Sequence, residues 1–241
     1  MVTIENLSKI YNKKFKAVDN LNIEIKDGEI FGILGPNGSG KTTTLKMMTG
    51  SLSISEGKIK INGYDITQDS VDAKRTFGFV PDSPDMFLKL SGIEYLNFLA
   101  TIYKLDKNYA QERIELLADK FEMKDNLLSK IETYSHGMRQ KIVIMGALIH
   151  NPKVWILDEP MTGLDPKSAH NLKEMMREHA DNGNCVIFST HVLDVAEKVC
   201  DSIAIIKEGK LLFTGELKDL KKEVKNNKSL EEIFLEMTDN G

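Results

Sequence analysis

Apolar and polar residues alternate in three short segments near the start of the chain: Val2-Thr-Ile-Glu, Leu21-Asn-Ile-Glu-Ile and Gly57-Lys-Ile-Lys-Ile. A period of two predicts strands with one face in a core and one in water, the habit of antiparallel sheets. Gly28, Gly57 and Gly63 punctuate these segments. Three other runs, Ile30–Leu34, Val154–Leu157 and Val186–Phe188, are apolar on both faces, which predicts buried, parallel, central strands. Between them the period changes. Ser91 to Tyr103, Asn108 to Phe121 and Ser135 to about Ile149 predict three helices, a helical subdomain over 91–149. After Val154 strand and helix patterns alternate: helices over Lys167–Asp181 and His191–Val199, with Ile203–Ile206 and Lys210–Thr214 closing a sheet. A Lys/Glu-rich tail ends in an amphipathic helix, Leu230 to Met237. The pattern as a whole predicts an α/β fold, without internal repeats or a low-complexity linker.

Each fully apolar strand ends in polar residues. Ile30–Leu34 runs into Gly35-Pro-Asn-Gly-Ser-Gly-Lys-Thr42, which matches the phosphate-cradling pattern G-x-x-x-x-G-K-[ST] and is followed by a helical stretch, Thr43 to Thr49. A strand, a glycine loop and a helix N-terminus make an anion site, because backbone N–H groups point inward and the helix dipole adds partial positive charge. Gly35, Gly38 and Gly40 let the backbone bend and approach phosphates. Pro36, Asn37, Ser39 and Thr43 complete the loop and the first turn. Lys41 is placed to reach β- and γ-phosphates, and Thr42 offers a hydroxyl to Mg²⁺. The second strand ends at Asp158-Glu159 and the third at Ser189-Thr190-His191. Ligands of open α/β sheets bind at the carboxyl ends of strands, so these segments can converge although 120 and 150 residues separate them.

Phosphoryl transfer needs positioning and charge neutralisation. Asp158 suits a second Mg²⁺ oxygen, and the adjacent Glu159 suits the group that activates water. Alone, Asp-Glu-Pro reads as a solvated turn; beside the glycine loop the metal-and-base reading is the stronger. His191 is either a polar cap or a donor to a γ-phosphate. Ser135-His-Gly-Met-Arg-Gln140 opens a helix as an ordinary serine cap or as a second anion site, and the residues leave both open.

Composition narrows the class. The 241 residues are 41% hydrophobic and 28% charged with net charge −4, as in ordinary globular chains. No basic block marks a nucleic-acid surface. Cys185 and Cys200 lack metal-ligand spacing and suit a reducing compartment. The first ten residues lack the apolar core of a signal peptide, and no stretch approaches eighteen uninterrupted apolar residues, so any membrane link is expected to run through a partner.

With five motifs in order, the chain resembles the ATP-binding subunits of ABC transporters over almost all of residues 1–237. Gly35–Thr42 is similar to the Walker A loop, Tyr134-Ser-His-Gly-Met-Arg-Gln to the signature motif, Val154-Trp-Ile-Leu-Asp-Glu-Pro to Walker B with its catalytic glutamate, Thr162-Gly-Leu-Asp165 to the D-loop, and Ser189-Thr-His191 to the switch histidine. The resemblance implies a P-loop NTPase fold: a central mostly parallel sheet, an antiparallel β subdomain and a helical subdomain carrying the signature. It implies one ATPase domain over 1–237, with a sheet core from 1–90 and 150–215, the helical subdomain over 91–149, and C-terminal helices and tail over 216–241. It implies ATP and Mg²⁺ as ligands, with Lys41, Glu159 and His191 catalytic and Thr42, Asp158 and Asp82 toward the metal. Two subunits would pack head to tail, homo- or heteromeric, so that Ser135 and Gly137 meet the partner's nucleotide; Asp165 of the D-loop is implied as a further nucleotide-binding residue. Tyr11 aligns with an aromatic residue that stacks on adenine; its ordinary alternative is an aromatic on a sheet surface. The implied partners are separately encoded transmembrane permease subunits, contacted by residues 82–104, at the cytoplasmic face of the membrane, and not nucleic acid.

Two departures stand out. Asp82 occupies a position where the family often has Gln, and His136 and Met138 replace the commoner Gly and Gln. The YSxGMRQ form and Ser229-Leu-Glu-Glu-Ile-Phe resemble exporter-type systems. A soluble DNA- or ribosome-directed ATPase of this type would need a coiled-coil insertion or a second cassette, and neither is in this sequence. A module that binds ATP without turnover is disfavoured by Lys41, Asp158, Glu159 and His191.

Overall fold

The computed structural model describes residues 1–12, 14–223 and 229–239. The alternating segments pair as the pattern predicts. Val2–Tyr11 (β1) and Phe15–Ile25 (β2) run antiparallel, with Val2 opposite Ile25 and Tyr11 opposite Phe15. Ile30–Leu34 (β3) departs from this pair, and the glycine loop leads into Lys41–Met48 (α1), two residues earlier than the sequence pattern places the helix start. Glu56–Ile61 (β4) returns to the free side of β1, and Tyr64–Asp65 (β5) pairs with β4. The sheet order is β2-β1-β4-β5. Val2, Ile4, Leu21, Ile23, Ile25, Ile59 and Ile61 point into one core.

Two elements follow that the pattern does not announce: Ser70–Thr76 (α2) and Phe77–Val80 (β6). The first buries only Ala73 and the second is four residues long, so neither has room to display a period. The helical layer comes next, with Gly92–Ile102 (α3), Lys107–Lys120 (α4) and His136–Leu148 (α5). Ser91 and Glu94 form a reciprocal capping box that fixes the start of α3. Helix α5 is apolar around most of its circumference and is buried from Ile142 to Leu148, the pattern of a helix enclosed on several sides.

Val154–Asp158 (β7), Pro166–Asp181 (α6), Cys185–Thr190 (β8), Leu193–Val199 (α7), Ser202–Lys207 (β9) and Lys210–Glu216 (β10) complete the α/β alternation. Leu217–Glu223 (α8) and Leu230–Asp239 (α9) follow, and the rest of the expected tail, 224–228 and 240–241, lies outside the described residues. The second sheet has the order β10-β9-β3-β8-β7-β6. All neighbours are parallel except β10, which runs antiparallel on its edge. The three fully apolar runs are its centre, and every residue of β3, β7 and β8 is buried. One expectation fails locally. His191 stands on a bend, and α7 begins two residues later, at Leu193. The Thr190 hydroxyl accepts the Val192 N–H at 3.0 Å, a local turn that competes with helix at that point.

Register places the polar strand ends together. Leu34 is opposite Thr190 and Asp158 is opposite Ser189. The glycine loop, the acidic pair and the Ser-Thr-His segment therefore leave the same edge of the sheet side by side.

Candidate nucleotide site

The loop between β3 and α1 is shaped by what its glycines leave out. A Cβ on Gly35 would run into the Ile206 carbonyl and the Ser39 hydroxyl. Gly40, at φ +108, closes against strand β2, where a Cβ would sit 2.7 Å from the Ala17 carbonyl oxygen. Lys41 reaches back across the loop, donating to the carbonyls of Gly35 at 2.8 Å and Pro36 at 3.2 Å. It is 6% exposed. Burial lowers its pKa, and the carboxylates of Glu159 and Asp158 oppose that shift.

The acids stand in distinct surroundings. Asp158 is 1% exposed. Its Oδ1 accepts the Ser189 hydroxyl at 2.6 Å and the Thr42 hydroxyl at 3.2 Å. Burial raises its pKa; these two bonds pull it down, while the charges of Asp82 and Glu159 push it further up. Glu159 follows with φ +46, a left-handed turn that swings its side chain out of the strand line. Its N–H donates to the Ser189 hydroxyl at 3.0 Å. Its Oε1 lies 3.7 Å from Lys41 Nζ and 3.1 Å from His191 Nδ1. One carboxylate thus spans the cation of the loop and the imidazole.

A cleft of about 530 Å³ opens over these groups, lined by Tyr11, Asn37, Gly38, Gly40, Lys41, Thr42, Thr43, Asp82, Glu159 and His191. Phe15, Ala17 and Thr162 complete the wall. Gly35, Pro36, Ser39 and Asp158 are not part of its lining. Phe15 had no sequence signal beyond its place four residues after Tyr11; the antiparallel register brings the two rings to one end of the β1–β2 pair. Ser189 enters the sequence reading only as the start of the Ser189-Thr-His191 segment, with no role of its own; its hydroxyl ties Asp158 to the backbone of Glu159.

Ser135, Gly137 and Asp165 do not line the cleft. The Ser135 hydroxyl accepts the Met138 N–H at 3.3 Å and caps α5, and Asp165 accepts the Ser168 N–H at 2.9 Å and caps α6. The two segments touch each other: the ring of His136 packs against Gly163, and a Cβ on Gly137 would be 3.4 Å from the Gly163 carbonyl oxygen. Arg139 ties the same helix start to the segment after β6, with Nη1 2.6 Å from Asp85 Oδ1.

The oxygens available suit Mg²⁺ held jointly with phosphates. That ion keeps several waters and takes one or two protein oxygens together with substrate oxygens. Thr42 and Asp158 present such a pair, already within hydrogen-bond reach of each other. Among the described residues no group of three or more His, Cys, Asp or Glu side chains could hold a metal on its own.

Residues 18–162 match the family model for the ABC transporter, and the chain belongs to that family. It is an ATP-binding subunit of the ABC type, a family that hydrolyses ATP to power transport. Among its relatives in Bacillus subtilis (strain 168), the ABC transporter ATP-binding protein NatA is 32% identical over 98% of this chain and 97% of its own length. The linearmycin resistance ATP-binding protein LnrL is 36% identical over 91% of this chain and 70% of its own. YhcH, another ABC transporter ATP-binding protein, is 38% identical over 84% of this chain, which spans 66% of it. A solved ATP-binding subunit of an ABC transporter superposes with a TM-score of 0.93 at 32% identity, covering 98% of this chain and 99% of that one. The cassette MJ0796, solved as a dimer in a post-hydrolysis state bound to ADP and Pi, gives 0.80 at 25% identity over 90% of this chain and 99% of that one. The α/β, P-loop expectation holds. Among the described residues no helix is long and apolar enough to cross a membrane.

Proposed function

We propose that residues 1–237 form one ATPase cassette that binds ATP with Mg²⁺ between the glycine loop and the acidic strand end, and drives export through separately encoded transmembrane subunits. The observation that carries the reading is the contact of Glu159 with both Lys41 and His191 inside the cleft, next to the Thr42–Asp158 pair. In it, the loop N–H groups from Asn37 to Thr43 cradle the phosphates, and Lys41 exchanges its loop carbonyls for β- and γ-phosphate oxygens. Thr42 and Asp158, with Asp82 alongside, would hold Mg²⁺, which would neutralise phosphate charge there. Glu159 accepts the proton of the attacking water, and His191 orients that carboxylate and donates toward the γ-phosphate. Tyr11, with Phe15 across the hairpin, stacks on the base.

Ser135 and Gly137 lie outside the chain's own cleft, so they and Asp165 serve the nucleotide of a second subunit packed head to tail. The dimeric state of the MJ0796 cassette supports this arrangement. The permease contact we propose falls on residues 82–104. There Met86, Phe87, Leu99 and Ile102 border a mostly apolar groove of about 550 Å³ that also meets Phe77 and Phe79 of β6. Phe87 and Ile102 are exposed there, at 45% and 55%. Such docking would hold the chain on the cytoplasmic face of the membrane as a peripheral subunit. Export is favoured by the YSxGMRQ form of the signature and by likeness to a resistance protein.

Glu159→Gln tests the assignment. The variant should abolish turnover and accumulate as an ATP-bound dimer on size exclusion with light scattering. ATP hydrolysis at the wild-type rate would remove Glu159 from the role of base. Recovery of the tagged chain with an integral membrane protein from solubilised membranes of its host tests the transporter reading.

A further inference from the structure

A second cavity lies at the opposite end of the sheet from the glycine loop, and nothing in the ATPase reading uses it. It encloses about 410 Å³, within the range of small-molecule sites. It sits where β7 and β8 begin, marked by Lys153 and Asn184, between α4 of the helical layer and α6 of the sheet core.

Its lining is charged and amphipathic. Arg113, Lys120 and Lys153 bring three cations, and Glu178 brings one carboxylate, which Lys120 Nζ already holds at 2.7 Å. Neither Arg113 nor Lys153 has a carboxylate partner among the described residues. Arg113 Nη2 donates to the Leu148 carbonyl at 2.8 Å, which aims the guanidinium, while its Nε has no protein partner. The indole of Trp155, fully buried, and the His179 imidazole edge against it are part of the same wall, with centroids 5.8 Å apart. Trp155 Nε1 and His179 Nε2 likewise have no hydrogen-bond partner. Burial, then the charges of Lys153 and Arg113, push the His179 pKa down to about 4, so the ring is neutral near pH 7.

Buried polar nitrogens without partners are rare in folded proteins, and three of the residues that line this cavity each carry one. Two uncompensated cations stand beside them. Leu116, Leu117, Leu148 and Met175 supply an apolar side. We propose that this cavity is a binding site for a small organic anion, its carboxylate or phosphate group held by Arg113 and Lys153 and its apolar body laid against the leucines and Met175. An occupant bridges α4 and α6, and so fastens the helical layer to the sheet core at a point remote from ATP.

The single tryptophan of the chain reports on this site directly. The full chain, kept saturated with Mg²⁺ and ADP so that the glycine loop is filled, is titrated with benzoate and separately with inorganic phosphate under tryptophan-selective excitation. Benzoate should change the Trp155 emission saturably, and phosphate should do so only at concentrations about tenfold higher or more. Lys153→Gln, at the rim, should weaken the benzoate response by about tenfold, and Arg113→Gln by at least as much, with melting temperatures measured alongside. If Arg113→Gln does not fold, Lys153→Gln alone decides. No saturable change with either probe, or a response undiminished in Lys153→Gln, overturns the site. Equal affinity for phosphate and benzoate overturns the organic class of the ligand.

Discussion

Ser189→Ala is the sharpest test of how the acidic strand end is built. The Ser189 side chain is fully buried and makes two bonds with one hydroxyl, donating to Asp158 Oδ1 at 2.6 Å and accepting from the Glu159 N–H at 3.0 Å. Alanine fills nearly the same volume, so no sizeable void forms and the loss is polar. A hydrogen bond to a charged group contributes about 1.5–3 kcal/mol, and the half-buried Glu159 N–H left without its partner costs toward the low end of about 1–3 kcal/mol. Thr42 still donates to Asp158, which tempers the first figure. The sum expected is roughly 2–4 kcal/mol of folding stability. At roughly 2–4 °C per kcal/mol for a chain of this size, the nucleotide-free protein should melt roughly 4–16 °C lower. Differential scanning calorimetry of wild type and variant, without nucleotide, reads this directly. Turnover should fall as well, because the bond that sets the left-handed turn at Glu159 is lost. A melting temperature within about 1 °C of wild type would refute the argument that this hydroxyl holds the two acids in place.

Two further outcomes follow from the same geometry. Gly78→Ala in β6 should destabilise the chain by roughly 1–3 kcal/mol, because the added Cβ runs into the backbone carbonyl of Ala147 in α5; an unchanged urea midpoint would contradict that packing. His150 stacks on Tyr103 with centroids 3.6 Å apart and contacts the Phe77 carbonyl through Nε2, and burial pushes its pKa down to about 4. A folded-state pKa below the unfolded value of about 6.5 means that the unfolded chain takes up the proton first. Stability contributed by the neutral ring is thus present above pH 6.5 and lost as pH falls toward 4, up to about 3 kcal/mol. His150→Gln should shrink that acid-side loss in urea titrations run across the window, and an identical acid limb would show that the ring does not titrate there.

The parts of the fold that were legible in the sequence are those where one period dominates. The alternating segments of β1, β2 and β4 and the unbroken apolar runs of β3, β7 and β8 declare which faces are covered, and the cap serines Ser91 and Ser135 mark helix starts to the residue. Elements too short to show a period, α2 and β6, were not, and β6 matters because it carries Asp82 to the cleft. The glycine loop, Asp158 and Glu159 were readable as chemistry, since residue type and strand context together restrict what they can do. Ser189 was not, because a serine at a strand end is common and only register places it against Asp158. The pattern puts His191 at the start of a helix, where the Thr190 turn delays that start to Leu193. The cavity at Trp155 was invisible in sequence: Arg113 on α4, Lys153 just before β7 and His179 on α6 are far apart in the chain and share no motif.

The strand order also bears on how the chain is made. Strand β3, which delivers the glycine loop, has no partner among the strands that precede it. It pairs on one side with β8 and on the other with β9, with Ile30 opposite Val186 and Phe31 opposite Ser202. On a ribosome, the loop therefore emerges with its supporting strand unpaired on both edges. More than 150 residues must follow before either neighbour exists, as the 186 − 30 separation of the first pair shows. At about 5–20 residues per second that interval is roughly 10–30 s. A fully apolar strand with two open edges is a template for wrong pairing during that time. The nascent chain thus needs either shielding by a chaperone or temporary cover from the β1–β2 hairpin, already synthesised, and the nucleotide cleft can appear only after β8 and β9 have been made.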